Sequence, residues 1–275
     1  PSRTQHGRAG KFRDNPEFML NTLTHGTDTS RPPLMIVHGL FGSARNWNVI
    51  AKRMSETRKV IAPDMRNHGS SFWADSHSYE DMAADLSEVI AAHGGVVDIV
   101  GHSMGGKAAM VLALSEPAKV ARLLVADIAP VQYSHSQQQF IDAMRAVDLS
   151  QIERRADAVA QLARHIEDKT LQSFFTQSLN VKEKRWLYNL DALERDMPKI
   201  LGFPEITGTY DGLTLFLSGA TSDYVLPEHR AKIKSLFSNA KFAKIQNAGH
   251  WLHAEQPRAF ESSLRAFLDY PSSSA

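Results

Sequence analysis

The 275-residue chain contains no cysteine. That absence excludes disulfides, cysteine nucleophiles and thiolate metal sites together, and it suits a reducing cytoplasm, the expected location. An excess of one charge is missing too: 31 Lys and Arg stand against 30 Asp and Glu, a formal net charge of +1. The charges are interspersed, so no field is expected to steer the chain to nucleic acid or to an anionic membrane, and a small-molecule partner fits better. No apolar run reaches the length of a membrane span. The opening stretch PSRTQHGRAGKFRDNPEF is polar and basic and has no apolar core of the kind a secretory signal needs. Residues 1–18 are expected to be a disordered leader or an expression-derived segment, and 271–275 a disordered tail. The oligomeric state is left open by the sequence.

What is present has an α/β pattern. Short apolar runs rich in β-branched residues, at Leu34–His38, Lys59–Ala62, Val96–Val100, Leu123–Ala126, Leu213–Leu217 and Lys241–Ile245, read as strands buried on both faces. Helical spacing falls between them, at Asn46–Thr57, Tyr79–His93, Gly106–Ser115, Pro227–Phe237 and Pro257–Leu268. The alternation predicts a mostly parallel central sheet flanked by helices. It breaks after Asp127. Residues 130–212 read mostly as amphipathic helix, too long for a structureless loop, and are expected to form an inserted helical cap above the carboxyl edge of the sheet. The core is then 19–129 and 213–270.

Gly101-His102-Ser103-Met104-Gly105 matches G-x-S-x-G, with a predicted strand before it and a predicted helix after it. A strand turning directly into a helix crowds its neighbours, which is the physical reason for the glycines, and it projects Ser103 from the sheet edge as a candidate nucleophile. The helix that starts there aims free N–H groups at the site, so the Met104 amide is a candidate oxyanion donor. A second donor is expected from the loop in IVHGLFGSARNW, with Leu40 first and Phe41 in reserve.

A serine hydroxyl needs a base. Of 12 histidines, His250 in IQNAGHWLHAEQP follows the last strand and precedes the last helix, at the same sheet edge as Ser103. His253, three residues on, reads as structural. His38, His68 and His102 lie beside glycines near the site and are able to order those loops by hydrogen bonds. A metal reading of His250 and His253 finds no carboxylate to complete a ligand set, so no metal is expected. A carboxylate should fix the imidazole tautomer, and both Asp127 and Asp223 follow strands in the chain order Ser, Asp, His. Asp64 also ends a strand and reads as loop-ordering.

These residues resemble the α/β-hydrolase superfamily, and within it the small bacterial esterases of the YbfF type. The likeness is carried by VHGLFGSARNW, DMRNHGSS, VGHSMGGKAAM, VADIAPVQY, RWLYNLDAL and AGHWLHAEQP and spans Leu20 to Leu268. It implies an α/β-hydrolase core with a small helical cap and cofactor-free hydrolysis of esters or thioesters. Many members of the superfamily carry Asp three residues after the glycine that closes the seventh strand. Here that position is Ser222, with Asp223 one place late. The YbfF-type proteins lack that Asp as well, so the resemblance implies Asp127 as the acid and leaves Asp223 as the alternative.

The expected function is a serine carboxylesterase, or a thioesterase, acting on short- to medium-chain acyl groups through an acyl-enzyme. Perhydrolysis or C–C bond hydrolysis by the same residues is the alternative, and a non-catalytic binding module a further one. Phe41, His102, Phe140, Met144, Phe174, Trp186 and Trp251 are the candidate substrate-binding residues, with Phe175, Leu179 and Tyr188 further candidates to line the pocket. Arg154, Arg155 and Arg164 could meet an anionic group such as a CoA phosphate, but a solvated helix face is the favoured reading of them.

Overall fold

The computed structural model describes residues 18–271, so the expected leader (1–18) and tail (271–275) lie outside the described residues apart from Phe18 and Pro271. The chain begins with β1 (Thr22–His25), β2 (Leu34–Val37), α1 (Asn48–Met54), β3 (Val60–Pro63), α2 (Tyr79–Ala92), β4 (Val97–His102), α3 (Met104–Ser115) and β5 (Val120–Ala126). There follow α4 (Gln138–Arg145), α5 (Arg155–Leu162), α6 (Lys169–Thr176), β6 (Leu179–Asn180), β7 (Arg185–Trp186), α7 (Leu190–Arg195) and α8 (Met197–Leu201). The last elements are β8 (Leu213–Gly219), α9 (Arg230–Leu236), β9 (Ala240–Ile245), α10 (Leu252–Glu255) and α11 (Pro257–Leu268).

Seven strands form one sheet in the order β1-β3-β2-β4-β5-β8-β9. Only β1 runs antiparallel to its neighbour; the other pairings are parallel. Alternate side chains feed two apolar layers, as a period of two requires. Met35, Val37, Ile99, Leu123 and Val125 face the layer under α2 and α3. Leu34, Ile36, Val100, Leu124 and Leu217 face the layer that holds Trp47 and Phe260.

The six expected strands are present, with three physical differences. The expected strand at Val96–Val100 runs on to His102, and its helix starts at Met104 rather than Gly106, so Ser103 alone separates β4 from α3. The strand expected at Lys241–Ile245 is not buried on both faces, because β9 is a sheet edge whose Lys241 and Lys244 are exposed. The expected helices at 46–57 and 227–237 each open with a short 3₁₀ turn, Ala44–Trp47 and Pro227–His229, before α1 and α9. Two helix starts follow local chemistry: the Ser78 hydroxyl caps α2 at the Asp81 amide, and Pro257 opens α11. Within 130–212 the helices are short, and the hairpin β6/β7, which the helical pattern did not predict, interrupts them.

Candidate active site

Ser103, Asp127 and His250 come from three different loops at the carboxyl edge of the sheet. Ser103 leaves β4 with φ 53° and ψ −120°, a conformation that favours glycine. Its neighbours make that turn possible: a Cβ on Gly101 would run into the Gly105 carbonyl, and one on Gly105 into the carbonyls of Val37 and His38. Asp127 leaves β5 in the left-handed region as well, at φ 53°, with its amide donating to the Leu217 carbonyl at 2.9 Å. His250 lies between β9 and α10.

The His250 imidazole bridges the other two. Nδ1 lies 2.7 Å from Asp127 Oδ2, and Nε2 lies 3.1 Å from Ser103 Oγ. A carboxylate only accepts, so Nδ1 carries the proton, and Nε2 is left to accept from the serine hydroxyl. The Asp127 side chain is fully buried, and the Ser222 hydroxyl and the Gly219 amide also donate to it, at 2.5 and 3.0 Å. Asp223 is exposed and makes no hydrogen bond to His250 among the described residues. The Tyr224 ring stacks on the imidazole at 3.7 Å between centroids and 15° between planes. Its hydroxyl hydrogen-bonds to His135 Nε2 at 2.8 Å.

The expected oxyanion donors are the Met104 and Leu40 amides. The Met104 amide is the first of α3 and has no intrahelical acceptor. Neither it nor the Leu40 amide bonds another described residue. The Leu40 loop packs close to the serine, since a Cβ on Gly39 would sit 3.3 Å from the Ser103 Cβ. Phe41, the reserve donor, is committed elsewhere: its amide donates to His68 Nε2 at 3.1 Å. Asp64 fastens the same loop through Ala44 N–H (2.8 Å) and also takes Ser70 N–H (3.0 Å), the loop-ordering part expected of it.

Five buried histidines around the site, His38, His68, His77, His102 and His253, are held toward the neutral form by burial. His38 donates from Nδ1 to the Gly39 carbonyl and accepts at Nε2 from the Met65 amide; His68 donates to the Arg66 carbonyl and accepts from Phe41. His102 Nε2 donates to the His250 carbonyl at 2.8 Å. Burial lowers the pKa of His38, and brings His68 and His102 well below the ordinary range. His77 and His253 are lowered to about 3, burial being the main cause in both. His253 lies flat on Trp47 with ring centroids 4.1 Å apart. Among the described residues no cluster of three or more His, Asp or Glu is placed to hold a metal ion.

These neutral histidines have a measurable consequence. A histidine that stays neutral in the fold but charges in the unfolded chain leaves stability intact above its unfolded value near ~6.5 and withdraws it as pH falls toward the folded value. His77 and His253 together should therefore withdraw roughly 5 kcal/mol between pH ~6.5 and ~4.5, comparable with the whole stability of a domain. Urea unfolding at pH 7.5, 6 and 5 should show the midpoint falling steeply, and His253→Phe should remove about one proton from the slope. An unfolding free energy that is flat over this range would contradict the neutral assignment.

Beside Ser103 lies a cavity of about 220 Å³. Of the residues expected to bind substrate, His102, Phe140, Phe174 and Trp251 line it. Phe41, Met144 and Trp186 do not: Phe41 is buried against Phe175 and Tyr188, and Trp186 donates its indole N–H to the Met144 carbonyl inside the core. Phe175, Leu179 and Tyr188 are core as well, and Arg154, Arg155 and Arg164 are exposed away from the cavity. Sequence reasoning missed Tyr133, His135, Tyr224 and Lys107 in the wall. Asp223 drew attention in the SDY stretch, whereas it is Ser222 and Tyr224 on either side of it that reach the site.

The sequence profile described as "Alpha/beta hydrolase family" matches residues 34–262. The mouse (Mus musculus) protein named sn-1-specific diacylglycerol lipase ABHD11 is 40% identical over 254 residues, covering 88% of this chain and 82% of that one. Esterase YbfF of Escherichia coli K12 is 34% identical over 241 residues, covering 86% of this chain and 93% of its own. A solved structure described as a marine microorganism esterase superposes with a TM-score of 0.86 at 39% identity, over 91% of this chain and 99% of that one. No helix among the described residues is long and apolar enough to cross a membrane.

Proposed function

This chain belongs to the alpha/beta hydrolase family and is a carboxylic ester hydrolase, and we propose that it is a serine esterase working through Ser103, His250 and Asp127. The observation that carries the reading is the single imidazole within hydrogen-bond distance of both Ser103 Oγ and a buried carboxylate. In this reading His250 Nε2 takes the Ser103 proton as Oγ attacks the acyl carbon, and Asp127 stabilises the imidazolium that forms. The Leu40 and Met104 amides receive the charge that develops on the carbonyl oxygen. The alcohol departs with the proton from His250, and water activated by the same imidazole releases the acid.

Residues 130–212 serve as the cap in this proposal, set on a core of 19–129 and 213–270, because Phe140 and Phe174 of that segment line the same cavity as Ser103. With Leu40 and Trp251 they supply an apolar wall suited to a short- to medium-chain acyl group. An acyl-enzyme forms equally from an oxygen ester or a thioester. The name of the mouse relative adds a glycerolipid ester to the substrate classes worth measuring.

A fluorophosphonate probe tests the reading. Stoichiometric labelling of folded protein, with the adduct mapped to Ser103, is the expected result, and a folded protein that stays unlabelled would favour a silent binding module. A parallel panel of p-nitrophenyl esters and acyl-CoAs ranks oxygen esters against thioesters, and aryl-ester cleavage compared with peroxide addition to an acid separates hydrolysis from perhydrolysis.

A further inference from the structure

Lys107 lies one turn beyond Ser103 on α3, and its amide donates to the Ser103 carbonyl at 3.0 Å. The residue is 1% exposed. No carboxylate pairs with it among the described residues. Nζ instead donates to three backbone carbonyls: Val131 at 2.9 Å, Leu201 at 3.1 Å and Gly202 at 2.6 Å. The rings of Tyr133 and Tyr79 lie 4.8 and 5.7 Å from it. An ammonium has three N–H donors, and all three are taken.

The carbonyls belong to the two ends of one segment. Val131 lies just after β5, where the chain leaves the sheet, and Leu201 and Gly202 lie at the end of α8, before it returns. Tyr79 adds a bond of the same kind, its hydroxyl donating to the Ile200 carbonyl at 2.6 Å. Tyr133, Ile200 and Leu201 form part of the cavity wall. The side chain that clasps both ends of the segment to α3 therefore also sets where this wall stands relative to Ser103.

Resting on the serine esterase reading, we propose that Lys107 is a positioning residue that fixes acyl-chain length by holding the Tyr133 and Ile200–Leu201 wall against the helix that begins at Ser103. With its donors occupied it offers none to a ligand, so beyond its own place in the wall it acts by holding the neighbouring wall segments. Burial brings the Lys107 ammonium down to about 7, while three acceptors around Nζ favour the charged form, the only form with three donors. A neutral or apolar replacement leaves buried carbonyls without partners, which drives the two segments off α3 toward water.

The test is Lys107→Met, close in length and volume and without a donor, with Lys107→Gln as the second variant. The octanoate-to-acetate ratio of kcat/KM on p-nitrophenyl esters should rise at least tenfold in Lys107→Met, mainly through a lower KM for octanoate, and by less in Lys107→Gln. An unchanged ratio, or an equal fall in kcat on both esters, would overturn the proposal. So would failure of both variants to fold, which would assign Lys107 to holding the core together. Ser103→Ala run alongside separates the two readings: if it retains turnover the serine reading falls, and if it is inactive while the Lys107→Met ratio is unmoved, only the inference about Lys107 falls.

Discussion

Ser103→Ala should lose on the order of 10³ to 10⁶ in turnover of a short aryl ester while remaining folded. The size follows from what the hydroxyl does. Without Oγ no acyl-enzyme forms, and the residual rate comes from water held near the Leu40 and Met104 amides. Little stability should go with it, because among the described residues the one side-chain hydrogen bond of Ser103 is to His250 Nε2, at 3.1 Å, and the imidazole keeps its bond to Asp127. The backbone strain at φ 53° stays in place, since alanine is no more comfortable there than serine. Thermal melts of the two proteins should agree within about 1 kcal/mol. Parent-like turnover in purified Ser103→Ala would dismiss Ser103 as the nucleophile, whereas an inactive variant with a collapsed melting curve would show only that the turn had failed.

Much of this site was legible in the sequence because it depends on backbone crowding and chain order. Gly101 and Gly105 have carbonyls where side chains would stand, and such crowding leaves a mark in residue type. The strands β2, β3, β4, β5 and β8 declared themselves through near-continuous apolar runs, whereas β9 did not reveal that it was an edge until its lysines were seen in solvent. Asp127 and Asp223 could not be separated by the residues alone: each follows a strand, and only the fold leaves one buried beside His250 and the other exposed. The two-residue strands β6 and β7 are too short to interrupt a helical pattern. Met144 and Trp186 looked like pocket residues, but an apolar face at helical spacing does not say which neighbour it meets. Lys107 was the least legible of all. Its partners are carbonyls 24, 94 and 95 residues away, and a backbone carbonyl is the same at every position of a sequence.

Asp127→Asn should cost about 10³ to 10⁴ in kcat, and Asp223→Asn less than about twofold. The carboxylate of Asp127 is asked only to accept: Oδ2 takes His250 Nδ1–H and the Ser222 hydroxyl, and Oδ1 takes the Gly219 amide. An asparagine has one accepting oxygen for these three donors. If its NH₂ faces Gly219, two donors collide in a buried place, at a cost of about 1–3 kcal/mol in stability. If it faces His250, the imidazole must accept at Nδ1 and carry its proton on Nε2, where it can no longer receive the Ser103 proton. The neutral wrong tautomer is thus the stable one, and the loss appears in kcat rather than KM. Asp223 is exposed and bonds neither the imidazole nor Ser222, so its amide changes nothing that the reaction uses. The discriminating measurement is kcat on one p-nitrophenyl ester for both variants, normalised to folded protein by active-site titration with the fluorophosphonate over long exposure. A larger loss in Asp223→Asn would move the acid to Asp223 and require the loop at 221–226 to rearrange when substrate binds.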